Sequence, residues 1–177
     1  AVNAASGGIV SVPHGDGVTI NADNISIASG GALSADGLGF WPQEGPGSNP
    51  GNGASHGGYG YTYNGYRRNL PYGSYQEPTA LGSGGGSHSS AGLGGGAIKL
   101  NVSNTITIDG TVSANGHGVK ATGGGSGGSI WIIADTIAGS GAIKADGGNF
   151  WSTNFDGGGG RISLAWTSGN LSFNGVV

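Results

Sequence analysis

Three glycine clusters, each running straight into a short apolar strand, constrain this chain more than any other feature. Gly94-Gly95-Gly96-Ala97 leads into Ile98-Lys99-Leu100, Gly127-Gly128-Ser129 into Ile130-Trp131-Ile132, and Gly158-Gly159-Gly160-Arg161 into Ile162-Ser163-Leu164. The leading isoleucines stand at 98, 130 and 162, two steps of 32. A second alternating group follows each: Thr105-Ile106-Thr107-Ile108, then Thr136-Ile137-Ala138, then Leu171-Ser172-Phe173. Val112-Ser113-Ala114 and Ile143-Lys144-Ala145 form a third group in two of the repeats. The N-terminal part has the same order, with Val18-Thr19-Ile20, Ile25-Ser26-Ile27 and Leu33-Ser34-Ala35. An Asp-Gly or Asn-Gly pair closes the third group at 36, 115 and 146.

Alternation of period two turns Ile106 and Ile108 to one face and Thr107 to the other. One circuit of such strands cannot bury its apolar side, whereas stacked circuits can. The spacing therefore predicts an all-β parallel β-helix, a solenoid of about 31–32 residues per coil, with strands of three to five residues and glycine at the corners. The expected inward stacks are Ile98/Ile130/Ile162, Leu100/Ile132/Leu164, Ile106/Ile137/Leu171 and Val112/Ile143. An antiparallel sandwich or jelly roll also has short strands and glycine-rich turns. It gives no reason for a repeating step with matched corner residues. One domain is expected over 1–177, with 37–93 as a long insertion packed on the coils. Leu171-Ser172-Phe173-Asn174-Gly175 aligns with Ile106-Thr107-Ile108-Asp109-Gly110, so the last coil is expected to be incomplete. The chain then reads as a fragment, its C-terminal end covered by further coils of the same protein or by a neighbouring chain.

Glycine supplies 43 of the 177 residues, which alone would favour disorder, because ordering glycine costs the most backbone entropy. Disorder normally accompanies high net charge, yet only 8% of residues are charged and the net charge is -3. Glycine does not recur at every third position, which excludes collagen. No cysteine is present, so disulfides and thiolate metal sites are excluded. Six basic residues and a negative balance argue against a nucleic-acid partner. No apolar run approaches the roughly 20 residues of a membrane-spanning helix.

The 37–93 segment holds Trp41 and all six tyrosines. Trp41, Tyr59, Tyr61, Tyr63, Tyr66, Arg67, Arg68, Tyr72 and Tyr75 are the candidate ligand-binding residues. Aromatic rings with a polar tip suit sugar rings, and the paired arginines suit a sugar acid. The competing reading is that the tyrosines only cover the flank of the coils. Trp131 and Trp166 fall between inward positions and should point outward.

The row Asp36/Asn115/Asp146 is the best geometric arrangement of acids. Its middle member cannot act as an acid, and Asx residues before glycine ordinarily bond to nearby backbone amides. No catalytic residue is assigned, and the chain is more readily read as a non-enzyme. No cofactor is indicated. Calcium is the one metal with candidate ligands, at Asp146, Asn149, Asn154 and Asp156, a spacing that matches neither an EF-hand nor a calcium β-roll. His14, His56, His88 and His117 form no close ligand pair.

The runs GSGGGSHSSAGLGGGAIKL, GGGSGGSIWIIADTIAGSGAIKADGG and GGGGRISLAW resemble glycine-rich β-helical regions of very large secreted or cell-surface bacterial proteins, adhesin-like or carbohydrate-associated. The likeness is best over 80–177. It implies an extracellular, surface-associated module without assigned catalytic residues. The function expected is thus structural or adhesive, with polysaccharide as the possible partner. A carbohydrate-binding module and a piece of a polysaccharide-active enzyme are the alternatives.

Overall fold

The computed structural model describes residues 2–5, 7–62, 69–86, 90–119, 123–149 and 155–177. Ten strands and no helix occur among them: β1 (Val2–Ala4), β2 (Ile9–Ser11), β3 (Gly17–Ile27), β4 (Ala32–Ser34), β5 (Ala97–Ile108), β6 (Thr111–Ser113), β7 (Ser129–Gly139), β8 (Ala142–Lys144), β9 (Arg161–Trp166) and β10 (Leu171–Phe173). They form two sheets. The larger has six strands in the order β1-β3-β5-β7-β10, with β9 beside the first half of β7; the smaller has four, β2-β4-β6-β8. Every ladder is parallel.

The expected parallel β-helix is corrected by this architecture: the chain builds two parallel sheets, of six and four strands, and not a regular solenoid. The strands expected to be separate at 98–100 and 105–108 are one strand of 12 residues, β5. The ladder passes the expected corner by a shift in register between Val102 and Thr105, where β5 carries one residue more than β7. A bulge of this kind bends a strand without glycine or proline to mark it. The chain step between partners is also uneven. Val2 pairs with Ile25, Val18 with Ile98 and Ile98 with Ile130, steps of 23, 80 and 32.

The residues expected to lie over one another do so. Ile98, Ile130 and Ile162 are ladder partners, as are Leu100, Ile132 and Leu164, then Ile106, Ile137 and Leu171, then Val112 and Ile143. Apart from Leu171, which is 39% exposed instead of inward as expected, they join Leu33 and Ile27 in one apolar cluster between the two sheets. Ile106, Ile108, Ile130, Ile132, Ile137 and Ile143 are all 0% exposed. Burying such a side chain is worth about 1.5–3 kcal/mol.

Parallel strands need crossovers, which are commonly helical. Here they are glycine chains packed against one another. The run from Gly124 to Gly128 sets the pattern. Gly124 and Gly127 donate to Phe155 and Gly158 at 2.6 and 2.9 Å; Gly125 and Gly128 donate to His117 and Ala114 at 3.0 and 2.7 Å; Ser126 donates to Ser83 at 2.9 Å. Successive amides thus address three neighbouring chains, and every third returns to the same one. Gly92 and Gly95 likewise donate to Gly123 and Ser126, and Gly82 and Gly85 to Gly95 and Gly92. A strand would alternate between two neighbours. A threefold rotation is that of an extended polyproline-II-like chain, which has no internal hydrogen bonds and must find partners outside itself.

The expectation of glycine at the corners is corrected accordingly for the run 123–128. Only Gly123 of that run has a positive φ, of 89°. The others are required by close approach. A Cβ on Gly94 would lie 1.8 Å from the Gly82 carbonyl, one on Gly125 2.0 Å from that of Leu93, and one on Gly128 1.8 Å from that of Gly96. Any side chain would drive two backbones apart and break their hydrogen bonds.

Alanine at Gly94, Gly125 or Gly128 should therefore lower stability by about 3 kcal/mol or more, at the upper end of overpacking costs. Gly159→Ala is the matched control, because its Cβ would meet nothing closer than 3.9 Å. It should be neutral or slightly stabilising in urea unfolding, and equal effects at all four positions would contradict the packing described.

Candidate ligand-binding groove

The polar residues that look chemical in the sequence mostly serve the backbone. Asp36 accepts the Asn115 amide at 2.6 Å and the Ser113 hydroxyl at 2.9 Å. Asn115 in turn accepts the Asp146 amide at 2.8 Å. Asp109 accepts from the amide and hydroxyl of Ser140, at 3.1 and 3.2 Å. The Ser168 hydroxyl, 2.5 Å from Asp135, is the main reason its carboxyl is held below the usual range, with the Ser168 and Gly169 amides and Thr167 assisting. These carboxylates bridge one strand row to the next.

Asp146 is exposed beside Asn115, and the Asp156 backbone carbonyl accepts the Tyr61 amide at 2.9 Å. Asn149 presses its backbone carbonyl against Gly118. Asn154 lies outside the described residues. No group of three or more His, Asp or Glu side chains able to share a metal ion occurs among the described residues.

The candidate aromatic residues divide. Tyr63, Tyr66, Arg67 and Arg68 lie outside the described residues. Tyr72 is turned inward. Its hydroxyl donates to the Leu81 carbonyl at 2.6 Å and meets the Ser83 hydroxyl at 2.7 Å, and burial pushes its pKa up to about 12. Its ring packs on His56, centroids 4.6 Å apart, and its carbonyl accepts from the Arg161 guanidinium at 2.9 Å. His56 is 0% exposed and donates from Nδ1 to the Gly127 carbonyl at 2.7 Å, while its Nε2 is buried without a partner. This clasp ties the 52–86 chain to the glycine bundle. By contrast Trp41, Tyr59, Tyr61 and Tyr75 are 56%, 50%, 39% and 73% exposed. Trp131 points outward from β7 beneath the Lys99 ammonium, 3.8 Å from the ring centroid. Trp166 is exposed at the end of β9.

Trp41 lines a concavity. A groove of about 320 Å³ is lined by His14, Asp36, Leu38, Trp41, Leu93 and His117, with Gly37 and Gly116 in its floor. Its walls are held by backbone bonds. Gly37, with φ of 64°, makes the turn that closes on the Asn115 carbonyl at 2.8 Å. Gly15 donates to Leu38 at 2.9 Å, which brings His14 to the turn. Gly39 and Phe40 donate to Gly94 and Gly82, fixing the chain that enters Trp41. His117 donates to the Leu93 carbonyl at 2.8 Å and leaves its imidazole exposed. The His14 and Trp41 rings lie 4.0 Å apart at 31°, and the His14 Nε2 is buried without a hydrogen-bond partner. An unmade buried bond costs about 1–3 kcal/mol, which an apolar residue at 14 would not incur.

Nothing in the sequence alone ties His14 and His117 to Trp41, since 27 and 76 residues separate them. A second, wider groove of about 780 Å³ follows the bulges and is lined by Asn21, Asp23, Asn101 and Ser103. Its polar groups satisfy one another, Asn101 donating to Asn21 at 2.8 Å and Ser103 to Asp23 at 2.9 Å. Comparison with protein-family models, with curated proteins and with solved structures finds no match to this chain.

Burial is the largest influence on His56 and holds its pKa below 6.5, with the nearby Arg161 charge acting in the same direction and the bond to Gly127 opposing both. The folded state thus keeps His56 neutral where the unfolded chain takes up a proton. Its contribution is complete above about pH 6.5 and is lost as pH falls below that value, at up to about 1.4 kcal/mol per pH unit. Urea midpoints should decline from pH 7 to 5, while the His56 ring resonances stay in their neutral form below pH 6.5. A His56 that titrates like a free histidine would contradict the buried clasp.

Proposed function

We propose that this chain is a non-catalytic structural and adhesive module of an extracellular or cell-surface protein, with exposed aromatic side chains as its recognition surface and polysaccharide as its partner. The observation that carries this reading is how the polar groups are used. Asp36, Asn115, Asp109 and Asp135 are occupied in bonds from one strand row to the next, while Trp41, Tyr59 and Tyr75 are left largely outside. A frame held by backbone bonds between closely packed chains resists deformation, which suits a spacer that displays a surface. The likeness of the glycine-rich runs to those of large secreted or cell-surface bacterial proteins supports the same location. Trp166 and Leu171 on the outer strands β9 and β10, and Val176 beside β8, are exposed, which supports a neighbouring chain lying against them.

The test is retention of the intact chain on immobilised neutral and acidic polysaccharides, with reducing ends assayed in parallel. Retention on at least one polysaccharide without release of reducing ends is expected. Release would place the chain among polysaccharide-active enzymes, and absence of retention would leave only the structural role.

A further inference from the structure

We propose that the groove between His14, Trp41 and His117 is a binding site for one neutral hexopyranose unit of a polysaccharide. This rests on the recognition role proposed above and assigns it to one place, away from Tyr59 and Tyr75.

Four observations carry the assignment. The volume of about 320 Å³ is at the lower end of small-molecule pockets and leaves room for a single sugar ring. Trp41 lines it with more than half of its surface exposed, and His14 lies against it as a second ring. An indole face supported in this way takes the C–H face of a sugar whose hydroxyls are equatorial. Leu38 and Leu93 supply further apolar wall. Asp36 is exposed at the rim and uses one acceptor site on each oxygen for Asn115 and Ser113, which leaves the remaining lone pairs for sugar hydroxyls.

Charge selects among sugars. Among the described residues no lysine or arginine lines the groove, and the Asp36 carboxylate belongs to its lining, which disfavours a uronic acid. The site is also prepared in advance. Gly15, Gly37, Gly39 and His117 are each tied by backbone bonds, so binding orders little further chain.

The experiment is a ¹H–¹⁵N titration of the intact chain with cellohexaose, mannohexaose and hexa-N-acetylchitohexaose, and with hexagalacturonate. At least one neutral hexamer should shift the Trp41 indole and the Gly37 and Gly116 amides, and hexagalacturonate should not. Trp41→Ala should weaken that binding by about tenfold or more, while Tyr59→Ala and Tyr75→Ala leave it unchanged. Retention on polysaccharide that survives Trp41→Ala but fails with the tyrosine variants would overturn this site and keep the broader recognition role. Hexagalacturonate binding in the groove as tightly as the neutral hexamers would overturn the ligand class. Groove resonances unmoved by all three neutral hexamers would overturn the site, and loss of column retention as well would remove the recognition role with it.

Discussion

The structure depends on backbones meeting where no side chain fits. The run 124–128 rotates its amides among three neighbours, and other carbonyls of the adjacent chains stand where a Cβ would otherwise be. This arrangement gives most of the crossover amides a backbone partner without a helix, which a buried irregular chain would otherwise lack. It also explains how so much glycine can remain ordered. In the bundle, the entropy cost of glycines such as Gly95, Gly125 and Gly128 is offset by a hydrogen bond and by close contact that only glycine permits.

The apolar core and the glycine bundle are two halves of one construction. The isoleucine rows between the sheets supply hydrophobic burial, and the bundle returns the chain from one strand to the next. The His56–Tyr72–Arg161 clasp joins the tyrosine-rich segment to that bundle. Because the frame is made by backbone, large side chains such as Trp41 and Tyr75 stay exposed on it. Trp41 is placed by its neighbours' backbone bonds and braced by His14, which makes the groove rigid at small cost in residues.

Much of the register is legible in the sequence and the architecture is not. Alternation and the step of 32 are enough to pair Ile98 with Ile130 and Ile162, because a one-residue slip would turn every isoleucine outward. The bend near Val102 leaves no punctuating residue, so one long bulged strand reads as two short ones. Glycine at a corner and glycine in a packed bundle also look alike. The distinguishing signal is that the runs 82–86, 91–96 and 157–160 admit only Ser, Ala and Leu beside glycine, and none of the Asn, Asp or Pro of ordinary turns. At the groove, Trp41 is legible as an exposed aromatic and Asp36 as a backbone cap. The approach of His14 and His117 is long-range and carries no local mark.

Amide hydrogen exchange, resolved residue by residue, tests the central claim most directly. The account predicts that Gly95, Gly125, Gly127 and Gly128 exchange as slowly as the β5 and β7 amides, because their bonds open only when the two sheets separate. Exchange of these glycines at the rate of an exposed loop, with β5 and β7 still protected, would contradict it.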